Sequence, residues 1–309
     1  MHVLITGGSG LVGSALLSMC PSDVTCTSLR SSQANLTDYT TALAFIRGIH
    51  SVKPIDAIFH CAARVGGLYR NMREPVEMIG DNVLMNTNIL KIAHTLNIQK
   101  VVCVLSTCIF PDKVDYPIQT KDLHNGPPHF SNEGYAYAKR LLEVQCRAYQ
   151  RQYNRQYFCI VPTNVYGTGD NFDPQDSHVV PALIRKGVIA QNTNTKLHVS
   201  GNGTQYRQFI NSKDLANIMW WALENYCIYD TPLVCCPPEE IQIKTLVDTI
   251  ASILGVEVEY DEAEGGQMRK TCTDTNSQLA SFGIHKTFSF MPLEDGLKEA
   301  ITWYKMHEM

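Results

Sequence analysis

Short apolar runs alternate with helix-period stretches through the first half of the chain. His2 to Thr6 is a run of β-formers suited to a strand buried on both faces, and it leads directly into Gly7-Gly8-Ser9-Gly10-Leu11-Val12-Gly13 and a helical pattern through Met19. The same alternation predicts strands over 24–29, 55–60, 101–105 and 158–162, with helices over 37–49, 74–96 and 134–153. Strands separated by helices predict an α/β fold with a Rossmann-type doubly wound parallel sheet, covered on both faces. Near Val165 a polar, turn-rich stretch, YGTGDNFDPQDSH, replaces the alternation. The expected division is therefore a sheet domain over 1–164 and mainly a smaller α/β C-terminal lobe over 165–309, from which segments can cross back. In the second part the patterns predict helices over 179–186, 214–225, 243–254 and 293–304 and a strand over 197–200.

Composition narrows the classes. With 309 residues, 44% hydrophobic and 18% charged, the chain is an ordinary globular one able to bury a sizeable core. A net charge of -4 gives no general attraction for nucleic acid or an anionic membrane, so neither is expected as a partner. Eleven cysteines with no C-x-x-C pair suggest neither a disulfide framework nor a spaced zinc site; no metal is expected, and a reducing, cytoplasmic setting fits. The opening HVLIT lacks the pattern of an export signal, and no run of eighteen apolar residues is present.

The glycines at 7, 10 and 13 fall where a strand turns into a helix. Side chains there would block the tight turn and hold the backbone away from a pyrophosphate seated on the helix N-terminus, so Gly7, Gly10, Leu11, Val12 and Gly13 are candidate dinucleotide-binding residues. About 20 residues after the first glycine, an acidic side chain would grip the ribose 2′-hydroxyl of NAD. The stretch there is Thr27-Ser28-Leu29-Arg30-Ser31-Ser32, and an arginine among hydroxyls suits a 2′-phosphate, which points to NADP(H). Further along, Tyr135 and Lys139 stand at i and i+4, on one face of a helix. A tyrosine with a pKa near 10 needs a neighbouring cation to favour its anion, and Lys139 can supply that charge and hold the nicotinamide ribose. An isolated Y-x-x-x-K arises often by chance. Downstream of a nucleotide fingerprint and of a strand ending at Ser106, it carries more weight.

Together GGSGLVG, STCIFP, YAYAK and NVYG resemble the extended short-chain dehydrogenase/reductase family. The resemblance implies that Ser106 and Tyr135 hydrogen-bond a reacting carbonyl, that Lys139 tunes the tyrosine, and that Asn164 lies at the cofactor. The sugar-nucleotide dehydratases of this family carry an acidic pair after the strand hydroxyl; Thr107-Cys108 stands here instead, which argues against dehydration. AARVGGLYRN, HNGPPH, PTNVYG and DNFDPQDSHVVPALIRK resemble the branch whose members take a GDP-linked 4-keto-6-deoxy hexose, invert C3 and C5 and reduce C4 with NADPH. That likeness implies an acid/base pair at Cys108 and His178 and substrate contacts at His178, Lys186, Ser200 and Arg207. It also implies a homodimer paired through the helices around 74–96 and 134–153. For Lys186, at the end of its predicted helix, pairing with the helix dipole is an equally good reading. Three positions depart from the branch: Ser200 replaces a tryptophan, Gly265-Gly266 an Asp-Gly pair, and Asn35 an acidic residue. Two alternatives stand beside this reading: an NAD-dependent nucleotide-hexose 4-epimerase, which needs no Cys108/His178 pair, and a non-catalytic NADP sensor on the same fold.

Overall fold

A computed structural model describes residues 1–226, 231–261, 269–270 and 288–308. Gly265 and Gly266 lie outside the described residues. Six parallel strands form the main sheet: β1 (His2–Thr6), β2 (Thr25–Leu29), β3 (Ala57–His60), β4 (Lys100–Val104), β5 (Gln156–Pro162) and β10 (Leu233–Cys235), in the spatial order β10-β5-β4-β3-β1-β2. The order reverses at β1, which pairs with β2 on one side and β3 on the other, and this opens a crevice beyond the carboxyl ends of the strands. Every residue of β1 is buried, as expected of a strand covered on both faces.

One face of the sheet is covered by α2 (Tyr39–Val52), α4 (Pro75–Thr95) and α5 (Glu133–Tyr153), through core residues such as Ile46, Ile89 and Leu142. The other is covered by α1 (Leu11–Ser18) and α7 (Ser212–Asn225). Asp38 starts α2 by accepting the N–H groups of Thr40 (2.9 Å) and Thr41 (3.3 Å), and Pro75 occupies the first turn of α4, where its missing N–H costs nothing.

After β5 the chain leaves the sheet through β6 (Asn164–Tyr166), which pairs with β9 (Phe209–Asn211). A second core lies under α6 (Val179–Thr193), α8 (Ile243–Leu254) and the helix Leu293–His307. The helix predicted over 214–225 among the pieces of this lobe instead lies on the main sheet as α7. Its Leu215, Ile218, Met219 and Ala222 share one buried face, and the Trp220 ring meets Phe59 edge-on, with centroids 4.8 Å apart. β10 returns beside β5, so the chain does cross back. The first helix of the lobe also runs past its predicted end at Lys186 to Thr193, closed by Asn194 in the left-handed region at φ 52. Gly187 is a packing position inside it: a Cβ there would lie 2.6 Å from Leu254 Cδ1 of α8.

The cysteines hold one feature the spacing did not suggest. Cys20 and Cys26 are joined, because the turn after α1, closed by the Val24 N–H on the Pro21 carbonyl (3.0 Å), brings the end of the helix back to the start of β2. Seven other described cysteines are free. Among the described residues no helix is long and apolar enough to cross a membrane.

Candidate active site

A cleft of about 960 Å³ opens at the carboxyl ends of the strands, between the main sheet and the second core. Its floor is the turn from β1 into α1. Gly7 sits at φ 69, in the left-handed region, and a Cβ there would lie 2.7 Å from Ala62 N after β3. A side chain on Gly13 would collide with the Gly7 carbonyl, whereas one on Gly10 would meet only that carbonyl, at 3.4 Å. The turn is thus closed tightly against the sheet and left bare toward the cleft, where Gly10, Leu11 and Val12 line it, a form that fits a dinucleotide phosphate on the N-terminus of α1. Arg30, at the end of β2, is exposed, lines the same cleft, and makes no side-chain ion pair or hydrogen bond among the described residues. A free guanidinium at this place suits the 2′-phosphate of NADP.

The other end of the cleft gathers Ser106, Tyr135, Lys139, Asn164 and His178. β4 ends into a single 3-10 turn, Thr107–Ile109, and the Ser106 hydroxyl accepts the Cys108 N–H at 3.4 Å, which leaves its own proton free to donate. Lys139 is 1% exposed and donates from Nζ to the Val104 carbonyl at 2.7 Å, with Nζ 5.6 Å from the Tyr135 ring centroid. Burial, with the nearby Cys108 thiol adding in the same direction, pushes the phenol well above its ordinary value, and burial pulls the Lys139 ammonium down. Tyr135 therefore holds its proton firmly. Asn164 donates from Nδ2 to the Gln208 carbonyl at 2.8 Å, tying β6 to the segment before β9.

Cys108 is 6% exposed and lies behind the wall that Ser106 and Thr107 form, close enough to Tyr135 and Lys139 to act on their charges. Its turn is braced by Arg140, a contact the sequence did not reveal. That buried guanidinium donates from Nε to the Ile109 carbonyl at 2.5 Å and from Nη1 to the Gly126 carbonyl at 2.8 Å. The other thiol at the cleft, Cys61, is pushed up to about 12 by burial, which keeps it neutral. His178 precedes α6 and is exposed to the cleft, yet the surrounding protein atoms hold its imidazole below the ordinary value.

Three residues expected at the substrate do not line this cleft. Lys186 is exposed midway along α6, far from its C-terminus, so the dipole reading falls away with the longer helix. Ser200 is exposed beside Gly201, and Arg207 sits in the short strand β8 (Tyr206–Arg207), its guanidinium depressed by burial and near Tyr116 and Glu240. Asn35 does line the cleft. Asp170 also lines it and was not singled out in the sequence: burial lifts its carboxyl to about 7, and its Oδ2 is buried with no hydrogen-bond partner.

A parallel sheet with a glycine turn, a Ser-Tyr-Lys group and an Arg at the second strand defines a nucleotide-dependent oxidoreductase or epimerase, and the chain belongs to the NAD dependent epimerase/dehydratase family, whose model matches residues 3–230. Within that family its similarity is to the GDP-L-fucose synthases. It is 39% identical to the GDP-L-fucose synthase of Dictyostelium discoideum over 98% of this chain and 94% of the relative. It is 38% identical to the probable GDP-L-fucose synthase of Drosophila melanogaster over 98% and 96%. A GDP-L-fucose synthetase from Naegleria fowleri solved with NADP superposes with a TM-score of 0.89 at 33% identity, covering 99% of this chain and 93% of that one.

Proposed function

We propose that the chain is an NADPH-dependent epimerase and reductase that converts GDP-4-keto-6-deoxy-D-mannose to GDP-L-fucose. The observation that supports this most is the meeting of Ser106, Tyr135, Lys139 and His178 in the one cleft that also holds the glycine turn and Arg30. NADPH supplies the hydride for C4. Ser106 and Tyr135 donate hydrogen bonds to the C4 oxygen, and Tyr135, kept protonated by burial, gives it the proton that completes the alcohol. The same two donors stabilise the enolates that form when a proton leaves C3 or C5, since a C4 ketone acidifies both neighbours. One pocket thus serves three steps.

Inversion needs a proton taken from one face and another delivered to the opposite face. In this reading Cys108 takes it, with the sugar pressed against the Ser106–Thr107 wall, and His178 delivers it from the other side of the cleft. A lowered imidazole pKa makes the imidazolium scarcer but a stronger acid. Arg207, partly buried and depressed in pKa, is assigned to the GDP diphosphate, with Lys186 and Ser200 toward the nucleotide end. We also assign a homodimer to the outer faces of α4 and α5, where Val76, Ile79, Leu84, Tyr137, Leu141 and Val144 are exposed together, and a cytoplasmic location, which the seven free cysteines among the described residues favour and the joined Cys20 and Cys26 do not.

The test is incubation with NADPH and GDP-4-keto-6-deoxy-D-mannose, followed by identification of the sugar. GDP-L-fucose is the expected product. A protein that retained tightly held NAD and only interconverted nucleotide hexoses at C4 would overturn the reading in favour of the 4-epimerase, and absence of all turnover would favour the sensor.

A further inference from the structure

Between β3 and α4 the chain makes a glycine turn and the short helix α3 (Leu68–Arg73), which the sequence pattern did not predict. The turn lies directly on the loop that leads to His178. Gly67 donates its N–H to the Asp176 carbonyl at 3.2 Å, and a Cβ on Gly67 would lie 3.1 Å from the Ser177 carbonyl. Gly66 is bare for a different reason: the Arg70 stem crosses it, and a Cβ there would lie 2.6 Å from Arg70 Cδ. Arg70 then donates from Nη1 to Asp176 Oδ2 at 3.0 Å and from Nε to Glu74 Oε2 at 3.0 Å. Glu74 is gripped in turn by Arg64 (2.8 Å) and Arg73 (2.9 Å), which together with Arg70 hold its carboxyl down to about 2. On the far side, Asp173 Oδ1 accepts the N–H groups of Gln175 (2.8 Å) and Asp176 (3.1 Å), so the loop carrying Asp176 is itself stapled.

We propose that Arg70 and Asp176 are positioning residues that fix His178 over the substrate by bolting its loop to the main-sheet side of the cleft, and that they serve inversion at C3 and C5 rather than reduction at C4. The inference rests on the assignment of His178 as the inverting acid. Asp176 stands two residues before His178, whose other neighbour is the first turn of the rigid α6, so the bolt and the helix set the imidazole from both sides. Ser106, just past β4, and Tyr135 and Lys139, on α5, share no hydrogen bond or ion pair with the bolt among the described residues, so loosening it frees the loop of one proton donor while the hydrogen bonds that hold the reducing group stay in place. The side chains of Arg70 and Asp176 keep 26% and 21% of their surface exposed, so the pair is less screened than one on open surface.

The experiment compares Arg70→Ala, Asp176→Ala, Asp176→Asn and His178→Asn with the wild type, measuring total ketone reduction and the share of product that keeps the substrate's C3 and C5 configuration. Displacement of a catalytic group by about 1 Å costs up to about 10²-fold. Arg70→Ala and Asp176→Ala should lower inverted product by about 10- to 10²-fold, while uninverted 6-deoxy product appears at close to the wild-type reduction rate. Asp176→Asn, which keeps an oxygen for Arg70 to bond, should recover part of the inversion. A general loss of stability would slow both activities alike and leave the product ratio unchanged, and that result overturns the proposal. If His178→Asn shifts the product ratio and the Arg70 and Asp176 variants do not, the bolt alone is refuted. If His178→Asn leaves the ratio at the wild-type value, the assignment of His178 fails and the bolt's role fails with it.

Discussion

Asp170 gives a prediction whose size follows from the structure. Its Oδ1 accepts the Asn171 N–H at 2.7 Å, but Oδ2 is buried without a partner, and burial raises the carboxyl to about 7. An unfolded aspartate titrates near 3.9. Because the folded value lies above the unfolded one, the group costs stability wherever the unfolded chain is ionised and the folded chain must hold a proton or bear a buried charge. The cost is absent below about pH 4, grows through the interval, and is complete above about 7. At the free energy of one pKa unit it is on the order of 1–2 kcal/mol at pH 5 and about 4 kcal/mol at pH 8. Asp170→Asn removes the titration, keeps an oxygen for the Asn171 N–H, and leaves an unbonded amide whose cost of about 1–3 kcal/mol does not depend on pH. The stability of Asp170→Asn minus that of the wild type should therefore rise by about 2–3 kcal/mol between pH 5 and pH 8. Urea unfolding at both pH values measures it, and pairing the two proteins cancels every other titrating group. A difference that stays constant, or falls, refutes the reasoning.

Tyr135→Phe should slow C4 reduction by about 10²–10⁴-fold, read from NADPH consumption, and leave the fold intact; an unchanged rate would show that another group supplies the proton. Arg30→Ala should weaken NADPH by about 10- to 10²-fold, the worth of a charge-assisted hydrogen bond, with NADH affinity unmoved; equal losses for both cofactors would take Arg30 away from the 2′-phosphate. Cys108→Ala in deuterated water should lose deuterium uptake at C3 and C5 and, with NADPH present, yield a 6-deoxy sugar of the mannose series. Wild-type product at the wild-type rate would make the thiol only a packed core residue.

Where a function depends on neighbours in the chain, the sequence displayed it. The strand, three glycines and helix of residues 2–18 are one local event, and each glycine's need for a bare Cα can be argued before the turn is seen. Arg30 at the end of β2 and Ser106 at the end of β4 follow from the rule that sites form at the carboxyl ends of parallel strands. What stayed hidden depends on partners far away in the chain. The strand over 233–235 is three residues long and has no period to show; its place beside β5 is decided by the sheet. The helix predicted to end at Lys186 continues through Gly187, and that glycine is where Leu254 enters. Arg70 and Asp176 lie 106 residues apart, and nothing in either segment names the other. Nothing in the sequence around Asp170 marks it as the carboxyl that burial lifts.

The pair Tyr135 and Lys139 shows why correct spacing still leaves the chemistry undecided. Positions i and i+4 put both side chains on one face of α5, and that much is fixed by the helix. Whether the tyrosine is pushed toward anion or acid depends on what the lysine reaches and on how deeply both are buried. Here the ammonium gives a hydrogen bond to the Val104 carbonyl, and desolvation, with Cys108 acting in the same direction, raises the phenol. A half-buried phenol with a raised pKa is a poor base for drawing a proton from an alcohol, whereas it retains a proton to give to an oxygen that gains negative charge. The same burial that strips Tyr135 of its value as a base therefore matches it to a ketone being reduced. In the proposed reaction it also separates the labour in the cleft: protons leave carbon by way of another group, the part assigned above to Cys108, and burial that keeps the Cys61 thiol neutral takes that thiol out of the contest.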